Sequence, residues 1–421
     1  MSQYVERIQI HDVRHLQDID IHIGGADERG PRHLILTGPN GSGKTSVLEA
    51  LVSYFGGVPN QHLVSIPTWQ NSLAQIKRQI DTIDSQLSSA DEAEWKTLTS
   101  QRESIQQSAN NIESVISPYT KIEPQIRDIA GLTRLYRKGA FLLAYFPAER
   151  KSAMTMPTGV KKIQPKETYA IGETARSEFL NYLVHLTVQR SFARDSRDAD
   201  GVAEIDAWFE RFEGALRDLY DDPDLKLLFD RDNYRHTIQL GDGREPFDLN
   251  QLADGYHAML SIVAELIVRM DAKAPRVYDL PGIVLIDEVE THLHIEMQKV
   301  ALPFLTAFFP RIQFIATTHS PFVLMSLPNA VVFDLTSHLR EEDLTGYSSE
   351  AIVQGHFDQS KYSERLQADL EEYRALWARR NSLHGKERDR FDDLRVYIHD
   401  LPKAFSPELE TVLREIEGDD A

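Results

Sequence analysis

The chain has 421 residues, 41% hydrophobic and 26% charged, which is the composition of a soluble globular protein of one large domain or two smaller ones. A formal net charge of −19 argues against a surface that is basic overall and holds nucleic acid by charge alone, though a local basic groove remains open. With no cysteine, disulfides and thiol-ligated zinc are excluded.

No window approaches 18 consecutive apolar residues, so no membrane span or membrane partner is expected. The first residues, MSQYVERIQIHDV, lack a secretory apolar core, and a cytoplasmic location fits.

Residues 1–37 read as strand-rich. Tyr4, Val5, Ile8 and Ile10 fall in one extended candidate, and Leu16, Ile19, Ile21 and Ile23 in a second. The apolar run Leu34-Ile35-Leu36 then leads into Gly38-Pro39-Asn40-Gly41-Ser42-Gly43-Lys44-Thr45, which matches the phosphate-loop pattern at every fixed position. Ser46 to Leu51 continues as a helix. A strand, a glycine-rich loop and a helix N-terminus make an anion cradle of inward backbone N–H groups. In such a loop Lys44 reaches the β- and γ-phosphates and the Thr45 hydroxyl binds Mg²⁺.

From Leu73 the apolar residues Leu73, Ile76, Ile80, Ile83 and Leu87 repeat at three and four, a heptad seam. After the break at Ser88-Ser89-Ala90-Asp91 a second seam runs Leu98, Ile105, Ala109, Ile112 and Ile116, with Arg102 at one seam position and Pro118 as terminator. This predicts an antiparallel helical hairpin over 67–118, either a projecting arm or a pair of surface helices packed on the core.

A helix is expected over Ile126–Leu135 and a buried strand over Phe141–Phe146. Arg134, Arg137, Lys138, Arg150, Lys151, Lys161, Lys162 and Lys166 make 134–166 the most basic region, a groove for a polyanion such as DNA or a solvated loop. Helices are expected over Glu173–Phe192 and Ala203–Tyr220, and a hairpin over 225–240, together a lobe spanning 173–250. Leu252-Ala253-Asp254-Gly255-Tyr256 precedes an apolar helix at 259–270, a second potential anion site.

Gly282-Ile283-Val284-Leu285-Ile286-Asp287-Glu288 has the Walker B form. Asp287 is placed to hold Mg²⁺ and Glu288 to orient and polarise an attacking water. Another buried strand, Arg311 to Thr317, ends beside His319, placed to sense a γ-phosphate.

This order of parts resembles the ATP-binding-cassette branch of the AAA-type ATPases. It looks like the soluble group that includes SMC and double-strand-break repair ATPases, OLD-type proteins and the ATPase subunits of anti-phage systems such as PARIS and Septu. The likeness covers roughly residues 1–60 and 140–335. It implies an α/β P-loop NTPase fold of ABC-ATPase type: a mixed or mainly parallel sheet with the hairpin, a short coiled coil, as an insert. The ATPase domain would occupy 1–335 and a helical region 336–421. It also implies ATP and Mg²⁺ as ligands, with ATP over GTP resting on the resemblance alone.

The same resemblance implies a head-to-tail dimer, each nucleotide capped by the signature turn of the other subunit. That turn carries over onto Leu252, Ala253, Asp254 and Gly255. Ala253 stands at the usual serine and Tyr256 where Glu or Gln is common, so slow hydrolysis is a live expectation. The ETHLH run, 290–294, matches the dimer-crossing D-loop region. Arg150 resembles a recurring basic position, and no Q-loop glutamine is placed.

The tail reads as helices over 350–357, 363–380, 390–401 and 407–416, without a nuclease-type constellation. It either completes the ATPase fold or serves docking and oligomerisation. Three functions follow: a sensor or scaffold in bacterial defence with a separate nuclease or toxin effector, a DNA-clamping repair or chromosome ATPase, or a nucleotide-gated binding module with little turnover. The helical insert disfavours a transporter motor.

Overall fold

The computed structural model describes residues 3–28, 30–149, 154–271, 279–349, 351–352, 364–401 and 409–417. Two compact units divide the chain, residues 1–349 and 350–421. The first unit thus runs past the residue 335 expected as its end, because a short antiparallel strand at 340–342 still pairs with the main sheet.

In chain order the first unit opens with β1 (Val5–Val13), β2 (Leu16–His22) and β3 (His33–Thr37), then α1 (Lys44–Phe55). The hairpin helices are α2 (His62–Leu87) and α3 (Glu92–Thr120). There follow β4 (Ile122–Ile126), α4 (Ile129–Arg137), β5 (Leu142–Phe146), α5 (Phe179–Asp195) and α6 (Ala199–Tyr220). A small antiparallel sheet holds β6 (Lys226–Asp230), β7 (Arg235–Gln239) and β8 (Phe247–Asp248). The remainder is α7 (Asp254–Asp271), β9 (Gly282–Ile286), α8 (Ile295–Phe308), β10 (Ile312–Thr317), α9 (Pro321–Leu324), β11 (Ala330–Asp334) and β12 (Arg340–Glu342).

The fold is α/β. Its six-stranded sheet has the order β12-β11-β3-β10-β9-β5, parallel except for β12. Every residue of β3, β9, β10 and β11 is buried, as strands covered on both faces require, and this is why they read as mainly apolar, non-alternating runs. The adjacency of β3, β10 and β9 brings the phosphate loop, the end of β10 and Asp287-Glu288 to one carboxyl edge of the sheet, where open parallel sheets place their ligands.

A second sheet, β2-β1-β4, is tied to the first by Gln313, and at its edge by Arg340 of β12, which donates to His22 O at 2.7 Å. Gln313 in β10 is fully buried; its Oε1 accepts from Val5 N–H and its Nε2 donates to Val5 O and Arg32 O, each at 2.8 Å. β4 is not anticipated from the sequence; it ends at Ile126, the first residue of the helix expected over 126–135, which begins at Ile129. Pro124 is tolerated in β4 because it is an edge strand.

The hairpin is longer than the 67–118 expected. An Asp91–Glu94 capping box opens α3, and Pro118 lies within its last turn instead of closing it. Ile80, Ile83, Ala109 and Ile116 are buried along the seam, while Leu73, Ile76 and Leu98 stay half-exposed. Arg102, the polar seam residue, pairs across the hairpin with Asp84 at 2.5 Å. At the base Tyr119 meets His62 Nδ1 at 2.9 Å and packs edge-on to Tyr54.

The helix expected from Glu173 begins only at Phe179, after a 3-10 turn. The N–H groups of Ala175 and Arg176 are given instead to the buried carboxylate of Glu265 on α7. Arg269, one turn on, pairs with Glu265 at 2.6 Å and donates to Leu143 O at 2.6 Å, with further bonds to Ala170 O and Glu173 O.

The second unit contains α10 (Glu364–Ala378), α11 (Lys386–His399) and α12 (Leu409–Glu417) around Tyr373, Phe391, Leu394 and Leu413. Glu417 Oε1 accepts from Tyr373 Oη at 2.6 Å and lies 2.8 Å from His399 Nε2, tying the three helices together. The helix expected over 350–357 falls mostly outside the described residues, as do Arg150, Lys151 and the start of the segment expected at 407–416.

Candidate functional site

The phosphate loop leaves β3 with Gly38, Gly41 and Gly43 all at positive φ. Gly43 is under a double constraint. Its φ is +97°, and a Cβ there would lie 2.7 Å from Leu16 Cδ1. The loop is therefore pressed against the β1–β2 turn. Lys44, the first residue of α1, is buried, and its Nζ donates to Gly38 O at 2.8 Å, Pro39 O at 3.0 Å and Ser42 Oγ at 3.4 Å. Burial lowers its pKa, opposed by Glu288, Glu290, Asp287 and the buried Asp334 at the end of β11. Thr45 is exposed at the helix N-terminus, and Ser46 is buried behind it.

Facing the loop, β9 delivers Asp287, 3% exposed, and Glu288, half-buried. The end of β10 fixes both. Thr317 Oγ1 donates to Asp287 Oδ1 at 2.6 Å and accepts from Glu288 N–H at 2.8 Å. Glu288 has φ +46°, and its Oε2 accepts from Thr291 Oγ1 at 3.2 Å. His319 stands two residues past β10. Its pKa is lowered, chiefly by burial and then by Lys44, while Glu290, Glu288 and Asp287 oppose the shift. The imidazole is neutral at pH 7.

These groups surround a cavity of about 280 Å³, lined by Asn40, Gly41, residues 43–46, Glu288 and His319. Arg14 and His15, on the β1–β2 turn, complete the lining. Sequence reasoning missed this pair. The turn is recognisable, but only the packing of Leu16 on Gly43 shows which loop it overhangs.

Ala253, Asp254 and Gly255 do not join this cavity. Ala253 and Asp254 are exposed at the start of α7, and Gly255 is buried against the 292–293 turn. A Cβ on Gly255 would come within 2.9 Å of Met297 Sδ and 3.0 Å of His292 O. Tyr256, the atypical residue of this turn, stacks on Tyr220 of α6, with ring centroids 3.9 Å apart and planes 7° apart. In the basic loop, Lys161 pairs with Glu178 at 3.2 Å and Lys166 with Glu173, so two of its lysines are already countered.

The geometry is an anion cradle with a buried ammonium, faced by two carboxylates and a neutral imidazole. Among the described residues no group of three or more His, Asp or Glu could hold an ion, and no helix is long and apolar enough to cross a membrane.

Known proteins resemble this chain in sequence or fold. The chain is 22% identical over 356 residues to "Septu protein PtuA" of Bacillus mycoides (strain KBAB4), covering 83% of this chain and 42% of that protein. It is 29% identical over 201 residues to "Retron Ec83 probable ATPase" of Escherichia coli, covering 45% and 33%. The chain thus spans less than half the length of these curated relatives. Among solved structures, an SMC head bound to the C-winged helix domain of ScpA matches with a TM-score of 0.38 and 10% identity, over 82% of this chain and 99% of that one. The family model described as "AAA domain, putative AbiEii toxin, Type IV TA system" matches residues 34–326, and the chain belongs to that family.

Proposed function

We propose that this chain is an ATPase that binds Mg²⁺-ATP in the loop cavity and hydrolyses it slowly. The observation that carries the reading is the convergence of Lys44, Glu288 and His319 on one cavity, with Asp287 held beside Glu288 by Thr317. Loop N–H groups and Lys44 bind the phosphates. The Thr45 hydroxyl and the Asp287 carboxylate are hard oxygen donors and fit Mg²⁺, which keeps waters and substrate phosphates in its shell and needs no all-protein cage. When bound, the ion neutralises charge developing on the phosphates. Glu288 takes the proton of the attacking water, and neutral His319 donates toward the γ-phosphate.

Glu288→Gln is the test of hydrolysis. Turnover falls roughly 10²–10⁴-fold with ATP still bound, on general-base magnitudes. Unchanged turnover in that variant would remove the assignment.

Ala253 to Gly255 serve as the cap on the nucleotide of a second copy in a head-to-tail dimer. Ala253 offers no hydroxyl there, which favours slow turnover and use of ATP as a clamp.

Similarity to "Septu protein PtuA" and to retron ATPases supports a place in bacterial anti-phage defence, as a sensor or scaffold with a separate effector. Tagged Glu288→Gln, recovered from its native cells with ATP, with and without nuclease treatment, tests this by mass spectrometry. A stoichiometric protein partner that survives nuclease is expected. Recovery of nucleic acid, with partners lost on treatment, would sink it in favour of a DNA clamp.

A further inference from the structure

The segment that carries His319 is laced, residue by residue, to the segment that follows Asp287. Thr317 bonds Asp287 and Glu288. Ser320 Oγ donates to Gln298 Oε1 at 2.6 Å. Between these two ties stands Glu290, and both of its carboxylate oxygens are engaged. Oε1 accepts the His319 backbone N–H at 2.5 Å, and Oε2 accepts Thr318 Oγ1–H at 2.7 Å. The same Thr318 hydroxyl accepts Ser320 N–H at 2.9 Å. One carboxylate therefore fixes the peptide on which the imidazole is mounted and the hydroxyl that turns the chain after it.

Glu290 opens a short turn. Leu293 N–H returns to Glu290 O at 2.8 Å, and His292 within the turn has φ +69°. The far side of that turn is the surface on which Gly255 rests, with His292 O 3.0 Å from the position of a Gly255 Cβ. A charged acceptor spanning two donors is stronger and more directional than a neutral one. The Glu290 carboxylate is thus a direct hydrogen-bonded link between the 290–293 turn and the backbone of His319.

We propose that Glu290 is a positioning residue that couples the Gly255-bearing turn to His319, holding the imidazole in register with the loop cavity. This rests on the ATPase reading above. Glu290 does not line the cavity and touches no reacting atom. Its removal acts through His319, and a misplacement of about 1 Å at a reacting group costs on the order of 10²-fold in rate.

The test uses the full chain and the variants Glu290→Ala, Glu290→Gln, His319→Ala and the Glu290→Ala/His319→Ala double. Turnover at saturating ATP and the Kd of Mg²⁺-ATP are measured for each. The expected result is a fall of about 10–100-fold in turnover for Glu290→Ala, a Kd within about 2-fold of wild type, and a smaller loss for Glu290→Gln, which keeps the acceptor for His319 N–H. The double variant should be no slower than His319→Ala, since residues that act as a unit are not additive. Turnover unchanged in Glu290→Ala, or losses that multiply in the double variant, would overturn the coupling.

The His319 Cε1–H resonance of histidine-labelled protein, identified by its loss in His319→Ala, supplies a readout that needs no hydrolysis. In Glu290→Ala without nucleotide it should shift and narrow as the ring gains freedom. An unchanged resonance overturns the proposal even if the wild type proves to have no turnover, a result that by itself would fall on the ATPase reading.

Discussion

The hydroxyl of Thr317 donates to Asp287 Oδ1 across 2.6 Å and at the same time accepts the Glu288 N–H at 2.8 Å. One hydroxyl at the end of β10 thus orients the Asp287 carboxylate and fixes the backbone that carries Glu288. Thr317→Val keeps the shape and removes both bonds. Groups that orient a metal-binding carboxylate are worth about 10–100-fold in metal affinity, so if Asp287 holds Mg²⁺ as proposed, the Mg²⁺ concentration for half-maximal turnover should rise by roughly that factor. A Mg²⁺ titration of turnover checks this, and an unchanged midpoint would show that Asp287 is oriented without Thr317.

Gly255→Ala tests the close approach of α7 to the 292–293 turn. Met297 Sδ can swing away from the new methyl, but the His292 carbonyl is backbone and must shift. Overpacking of this kind costs about 1–3 kcal/mol. The expected outcome is lower thermal stability and, on the proposed head-to-tail dimer, a loss of ATP-dependent self-association with ATP affinity of the monomer retained. Size-exclusion chromatography with and without ATP reads the second effect.

Gln313→Leu should be among the most destabilising single changes in the first unit. It strands Val5 N–H, Val5 O and Arg32 O at the junction of the two sheets. An unsatisfied buried polar group costs about 1–3 kcal/mol, so a loss of roughly 2–5 kcal/mol is expected after partial relaxation. Calorimetry of the full chain would detect it. A Tm within a degree of wild type would mean that the sheets are held together without the Gln313 bridge, by apolar packing and the Arg340–His22 bond.

Acid should weaken the fold through two buried histidines before most carboxylates titrate. Burial pushes His33 down to about 4 and His236 down to about 3. The geometry agrees. His33 Nδ1 accepts the Phe314 N–H at 3.1 Å, and the Thr187 hydroxyl, which donates to Leu183 O, leaves His236 Nε2 as the donor and Nδ1 bare. Unfolded, each histidine binds a proton near pH 6.5. The unfolded chain therefore gains protons first as pH falls. Stability is full above that value and is lost from pH 6.5 downward toward the folded values, by up to about 1.4 kcal/mol per pH unit for each group. Urea midpoints at pH 7.5 and pH 5 should differ accordingly, and midpoints that do not move over this range would rule the mechanism out.

The local chemistry of the site was legible in the sequence because it depends on neighbours in the chain. The glycines, Lys44 and Thr45 of the phosphate loop are contiguous, and Asp287-Glu288 and His319 each close an apolar run long enough to be a buried strand. The hairpin was legible for the same reason, since its seam repeats within each helix.

Tertiary structure decided everything that depends on approach between distant segments. The overhang of Arg14 and His15 on the loop, the stack of Tyr256 on Tyr220, the Gln313 bridge and the two bonds of Glu290 all join residues separated in the chain by more than any local period. The strand at β4 and the delayed start of α5 follow the same rule. β4 exists because β1 supplies its hydrogen-bond partners, and at the start of α5 the buried Glu265 carboxylate takes the N–H groups of Ala175 and Arg176 over a local helical preference worth only tenths of a kcal/mol per residue.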